Sequence, residues 1–187
     1  MSSLQRILVA RDLAVAAHGA QEYGPGLPYA YHLEKCQGVA RNHVTGDMLE
    51  WAGVIRERVE ISVWLHDTVE DTPLTVAMIR AIFGDDVADA VHAVTDVKGE
   101  NRHARKHGTP GNPGPMTKLR SNRLGLIVKL VDRIANVEAC ISAMEKLPAA
   151  KRNATMLPKY RAEQVDLRAL RTDGLGPLWD HLERILA

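Results

Sequence analysis

No stretch of this chain alternates apolar and polar residues over a strand's length between hairpin turns; apolar residues recur at helical spacing instead. That feature confines the chain to an all-α fold. Leu4, Ile7, Leu8, Leu13 and Val15 mark an amphipathic first helix. Gly24, Pro25, Gly26 and Pro28 then break the chain, and a short helix with His32, Leu33, Val39 and Ala40 follows. Asp47 reads as the N-cap of a helix running from about Met48 into "VWLHDTVEDTP", Val63 to Pro73. Thr72-Pro73 signals the next helix start, and Gly84 ends that helix. Asp85 or Asp86 caps "VADAVHAVT". A long helix resumes near Lys118 and runs through "NRLGLIVKLVDRIANVEACISAMEKL" to Pro148. "LPKYRAEQVDLRALR" and "GPLWDHLERILA" give two more. Between "VADAVHAVT" and the long helix, Asp96 to Met116 is a basic, Gly/Pro-rich insertion whose first half can be helical.

The 187 residues fit one domain, 1–187, with no internal repeat or linker. A formal net charge of +1 gives no push toward nucleic acid. Cys36 and Cys140 are far apart and form no CxxC pair, as expected in a reducing cytosol. Arg11 and Asp12 interrupt the apolar N-terminus, so it does not read as a signal peptide, and no apolar run reaches membrane-spanning length. A soluble cytoplasmic protein, without nucleic acid or membrane as partner, is the expectation.

"VWLHDTVEDTP" carries His66, Asp67, Glu70 and Asp71 at the end of an apolar helix. On a continuous helix His66 lies over Glu70 and Asp67 over Asp71. Carboxylates at a helix C-terminus oppose its dipole, and a divalent cation would remove that cost. The ordinary alternative is a solvated helix end. His32 taken alone reads as a packing residue, and Lys129, Asp132 and Asn136 alone read as one polar stripe of an amphipathic helix. Taken together, two imidazoles and two carboxylates form a nitrogen–oxygen set suited to Mn²⁺, Fe²⁺ or Zn²⁺. His18 reads as a packing or supporting residue, and His43, His92, His103, His107 and His181 as ordinary surface or packing histidines.

The order His, His-Asp, Asp, with "HDTVEDT" and "KLVDRIAN", resembles the HD-domain metal-dependent phosphohydrolases. More narrowly it resembles the alarmone hydrolases, both the hydrolase domain of the bifunctional Rel/Spo enzymes and the stand-alone small alarmone hydrolases. The likeness runs from "AHGAQ" through "PYAYHL", "WLHDTVEDT", "IFGDDVADAV" and "VTD" to "KYRAEQ". It implies an HD-domain helical bundle holding one Mn²⁺ on His32, His66, Asp67 and Asp132. It implies a small-molecule nucleotide substrate and removal of the 3′-pyrophosphate from (p)ppGpp, with Glu70 and Asp71 orienting and deprotonating the attacking water. It places Asn136 near the ribose or phosphate, Tyr160 along the nucleotide pocket, and Arg102, Arg105 and Lys106 at the pyrophosphate; solvated loop charges are the alternative for those three. One departure stands out. The family's Arg-Lys pair after "HxxQ" is replaced by Glu22 and Tyr23, so acceptance of adenine alarmones, (p)ppApp, is expected beside or instead of guanine ones. The usual Pro after His32 is Leu33. Competing readings are an HD phosphohydrolase acting on a deoxynucleotide or NADPH, against which the Glu70-Asp71 pair argues, and a nucleotide sensor without turnover.

Overall fold

The computed structural model describes residues 1–24, 26–145 and 156–187. It is helical apart from two very short strand pairs. The helices are α1 (Ser3–His18), α2 (Tyr29–His43), α3 (Gly46–Ala52), α4 (Arg56–Leu65), α5 (Thr68–Asp71), α6 (Val76–Phe83), α7 (Asp85–Val94), α8 (Arg102–His107), α9 (Pro115–Lys118), α10 (Arg123–Glu145), α11 (Leu157–Arg168) and α12 (Gly176–Leu186). Strands β1 (Glu22–Gly24) and β2 (Leu27–Pro28) pair antiparallel before α2, and β3 (Gly108–Thr109) and β4 (Asn112–Pro113) pair inside the basic insertion. Neither pair was visible as an alternating pattern, because strands of two or three residues are too short to show one.

The scaffold is built around α10. Leu124 to Ala135 are buried without interruption, so this helix is enclosed on every side. It packs against α2, α4, α7 and α12. Ile127, Leu130, Val131 and Ile134 are fully enclosed there with Trp179 and Leu182 of α12. A second cluster joins Ala10 and Ala14 of α1 to Leu33, Ile61, Leu65, Ile79 and Phe83.

Several expected boundaries move. The helix expected from Met48 onward is two helices, because Gly53 takes a left-handed φ of 70° that ends α3. Thr45 rather than Asp47 stands at the start of α3. α6 is capped by Thr75, whose hydroxyl accepts from the Met78 N–H at 3.3 Å, so Thr72-Pro73 lies in the turn before it. α10 begins at Arg123 and Lys118 belongs to the separate turn α9; Lys146 to Pro148, like Pro25, lie outside the described residues. On α1 the buried residues are Ala10, Ala14 and His18, whereas Leu4, Leu8 and Val15 are exposed. The helix lies against α4, and alanine lets the two backbones approach where leucine would not.

Candidate active site

Four donors from three places in the chain meet at one point. α2 supplies His32. α4 stops at Leu65, and the chain turns through Asp67 at φ −97° and ψ −5° before α5 begins. His66 and Asp67 therefore sit at a joint between two helices, not on the continuous helix that the sequence suggested. The break keeps Asp71 over Asp67, since the Asp71 N–H donates to the Asp67 carbonyl at 3.0 Å. The His66 Nδ1 contacts the Val63 carbonyl at 2.8 Å. As an N–H donor there, it leaves Nε2 as a free lone pair toward the cluster. α10 contributes Asp132.

The separations fit one ion. His32 Nε2 lies 3.3 Å from His66 Nε2, 3.5 Å from Asp67 Oδ2 and 3.4 Å from Asp132 Oδ1. His66 Nε2 lies 2.9 Å from Asp67 Oδ2 and 3.7 Å from Asp132 Oδ1. An ion about 2.1 Å from each donor sets neighbouring donors about 3.0–3.4 Å apart. The cluster thus has the residue types and the spacing to hold a divalent metal. Cys36, one helical turn after His32, adds a fully buried Sγ 3.6 Å from His32 Nε2.

Burial opposes charge on both imidazoles. Yet Cys36, Asp67 and Asp132 beside them push His32 and His66 well above the usual histidine range. Burial likewise opposes ionisation of Asp67 and Asp132, but His66 beside Asp67, and Lys129 beside Asp132, hold both well below the usual carboxylate range. The two carboxylates demand positive charge beside them, which a cation bound among the four donors would supply. Tyr29 donates to Asp67 Oδ2 at 2.5 Å and lies 3.2 Å from Asp71 Oδ2, while its ring stacks on His18 at 4.1 Å between centroids. His18 is therefore a supporting residue behind the site.

Glu70 stands at the rim. Its Oε2 accepts from the Asp96 N–H at 3.0 Å, and burial followed by repulsion from Asp96 raises its pKa. Burial and repulsion from Asp67 raise that of Asp71. A cavity of about 210 Å³ opens over the donors, lined by Glu70 but not by Asp71. Arg102, Arg105, Lys106, Asn136 and Tyr160 all line it. Asn136 donates through Nδ2 to the Asp132 Oδ1. Lys106 lies 3.2 Å from Asp96, and burial together with the like charge of Lys129 lowers its pKa to about 8. Arg102 is paired with Glu163 of α11.

Other lining residues were not singled out as substrate contacts from the sequence. Lys129 and Arg133 of α10 are almost fully buried and face the same cavity. Arg133 Nη2 donates to Glu163 at 2.7 Å, its guanidinium lies 4.6 Å from the Tyr160 ring centre, and its Nη1 has no partner among the described residues. Its sequence signal, an arginine on an apolar helix beside a candidate ligand, reads equally as a solvated edge until the packing shows the residue buried. Tyr23 stacks on His32 at 4.6 Å and donates to Asn136 Oδ1 at 2.7 Å. It stands on the stretch that has lost the basic pair. Larger cavities lie elsewhere, one of about 520 Å³ along α2 beside Tyr31 and Lys35, but none of the four donors lines it.

No family model matches the chain. A probable guanosine-3′,5′-bis(diphosphate) 3′-pyrophosphohydrolase of Mycoplasma pneumoniae is 32% identical over 140 residues, covering 71% of this chain and 18% of that protein. One of the same description from Synechocystis is 28% identical over 121 residues, 64% of this chain and 15% of that protein. The Drosophila melanogaster enzyme MESH1, named for the same activity, is 31% identical over 86 residues, 46% of this chain and 45% of its own length. The chain thus spans less than half the length of these relatives. A solved structure described as a metazoan ortholog of SpoT that hydrolyzes ppGpp superposes with a TM-score of 0.68 at 20% identity, covering 96% of this chain and 93% of the other. A Listeria monocytogenes protein superposes with a TM-score of 0.53 at 24% identity, over 82% and 96%. In sequence the chain is similar to the HD-type ppGpp 3′-pyrophosphohydrolases that its motifs resemble, and it shares their all-helical fold.

Proposed function

We propose that the chain is a metal-dependent 3′-pyrophosphohydrolase of alarmone nucleotides, converting (p)ppGpp to GDP or GTP and pyrophosphate. The observation that carries this reading is the convergence of His32, His66, Asp67 and Asp132 beneath a cavity walled by Arg102, Arg105, Lys106, Lys129 and Arg133. The names of the similar proteins agree with it. The four donors would hold a divalent ion such as Mn²⁺, which their mixed nitrogen and oxygen character suits. When bound, the ion polarises a phosphoryl oxygen and lowers the pKa of water.

The chain's own groups do the rest. The basic wall takes the polyanionic diphosphate end of the substrate, with Arg and Lys as charge-assisted donors. Glu70 is held through Oε2 by the Asp96 amide, which leaves Oε1 to take a proton from the attacking water. Asp71 lies outside the cavity lining and acts on that water through Asp67, to which Tyr29 ties it. Water oxygen bonds to phosphorus, the bond from phosphorus to the 3′-oxygen breaks, and that oxygen leaves with a proton. Asn136 and Tyr160 border the ribose.

The cavity is smaller than usual small-molecule pockets of about 300–1,000 Å³. It takes the pyrophosphate end and leaves the base at the mouth, beside Tyr23 rather than beside two cations. This favours the extension to (p)ppApp. The test is pyrophosphate release from ppGpp and ppApp in parallel with Mn²⁺, with Asp67→Ala and Glu70→Gln as controls. Glu70→Gln is expected to lower kcat by about 10²–10⁴-fold with Mn²⁺ content unchanged. Release from neither nucleotide would move the protein to another phosphate substrate or to a sensor role. Undiminished turnover in Glu70→Gln would remove Glu70 as the base.

A further inference from the structure

A second group of metal-type donors lies outside the cavity, on the back of the basic helix. α8 turns Arg102 and Lys106 toward the cavity, while His103 and His107, four residues apart, share another face. Their rings lie 4.1 Å apart between centroids, inclined by 26°. Asp166 of α11 completes the group, with its Oδ2 3.1 Å from His107 Nε2. One donor atom from each of the three lies within 4.8 Å of the other two. The His103 ring makes no hydrogen bond among the described residues.

We infer that His103, His107 and Asp166 form a second divalent-metal site, of zinc type, that fastens the basic helix α8 to α11. Two histidines four apart on one helix face form a bidentate chelate, as in zinc-binding helices. A carboxylate from a different element makes the third ligand, and water fills the fourth position of an open tetrahedral site. Zinc needs its donors about 3.3 Å apart, and exposed side chains reach that by small torsional changes. A third donor group, His43, Glu138 and His181, lacks this readiness: Arg184 lies 2.5 Å from His181 Nδ1, and an arginine donating there supplies the positive charge that an ion would bring.

The placement gives the ion a purpose. α8 meets α11 through the Arg102–Glu163 ion pair and the polar contact of His107 with Asp166. Glu163 and Asp166 are three apart on one face of α11. Glu163 anchors the first turn of α8, and the metal anchors its last. With both ends fixed, Arg102 and Lys106 are held toward the cavity. The site is independent of which phosphate compound the cavity takes.

The experiment counts zinc. Wild-type protein, His103→Ala and Asp166→Asn are equilibrated with zinc, freed of excess and analysed for metal per chain. An Asp132→Ala background weakens the first site and isolates the second. The expected result is two zinc ions per wild-type chain, one in His103→Ala, and at least tenfold weaker binding of the remaining ion when His103→Ala is added to Asp132→Ala. Zinc should also slow tryptic cleavage after Lys98, Arg102 and Arg105 at least threefold in wild type but not in Asp166→Asn. Both substitutions fall at the surface and leave the core intact. Equal zinc content in wild type, His103→Ala and Asp166→Asn overturns the site. Zinc bound at the full count without any change in cleavage overturns the fastening.

Discussion

At the scale of single residues, the cavity sets an unusual value on one lysine. Burial and the neighbouring Lys129 bring Lys106 down to about 8, so its charge is present below that pH and lost above it. A cation that binds pyrophosphate must be protonated in the free enzyme. Expected, then, is a kcat/KM for the alarmone that declines above pH 8 while kcat changes less. Lys106→Met should lower kcat/KM by about 10–100-fold, the worth of a charge-assisted hydrogen bond, and remove that alkaline decline. If the decline persists in Lys106→Met, another group causes it. The four candidate donors were legible in the sequence through the His66-Asp67 pair and the family resemblance, because His32 and Asp132 taken singly read as a packing residue and a polar stripe. Arg133 and Lys129 were harder to read, since a charge on an apolar helix looks like its solvated edge until the fold shows that the helix has no solvated edge there. Cys36 was invisible as a neighbour of the donors, because a buried cysteine is ordinary. The roles of these residues in binding and turnover belong to the proposal, whereas their convergence is geometric.

At the scale of elements, helix identity was legible and helix joints were not. α7, α11 and α12 follow their apolar patterns closely. The break between α4 and α5 left no Gly or Pro as a sign, yet it swings Asp67 into the donor cluster. Gly53 did leave a sign, which the apolar spacing across it outweighed. The hairpin of β3 and β4 has no room for a side chain at Gly108 or at Gly114. Gly108 has φ 67°, and a Cβ there would collide with the Asn112 carbonyl and the Gly114 amide. Gly108→Ala is expected to cost at least about 1–2 kcal/mol of local stability and to misplace Lys106 two residues earlier. Substrate kinetics should show KM rising more than kcat falls, with global thermal unfolding little changed. A fall in kcat alone, at constant KM, would contradict this.

At the scale of the molecule, α10 is both the hub of the core and the bearer of Asp132, Arg133 and Asn136. That sharing explains why the fold was legible from apolar spacing alone, while the position of the cavity over the hub required the packed structure. Glu163 binds the periphery to this hub through Arg102 and Arg133. Burial would raise its pKa, but the two guanidiniums outweigh burial and hold it at about 2, against 4.5 for a free side chain. Because the folded value is depressed, this stabilisation is complete above about pH 4.5 and fades as pH falls through about 2. It should amount to about 1–2 kcal/mol after solvent screening of the partly exposed group. Unfolding midpoints measured between pH 6 and pH 2.5 should drop less in Glu163→Gln than in wild type; equal drops would assign the acid sensitivity elsewhere.

The donors and the basic wall are anchored very differently. Three of the donors rise from α2, α10 and the end of α4, whose apolar faces fill the core. Three of the cations ride on α8, six residues long, where Lys106 alone is buried. In amide hydrogen exchange, the amides of Ile127 to Val137 can open only with the whole molecule, whereas those of Ala104 to His107 can open with their own short segment. The protein therefore runs on two clocks. A slow one keeps the donors assembled for as long as the chain is folded, and a fast one opens and closes the basic wall over the cavity.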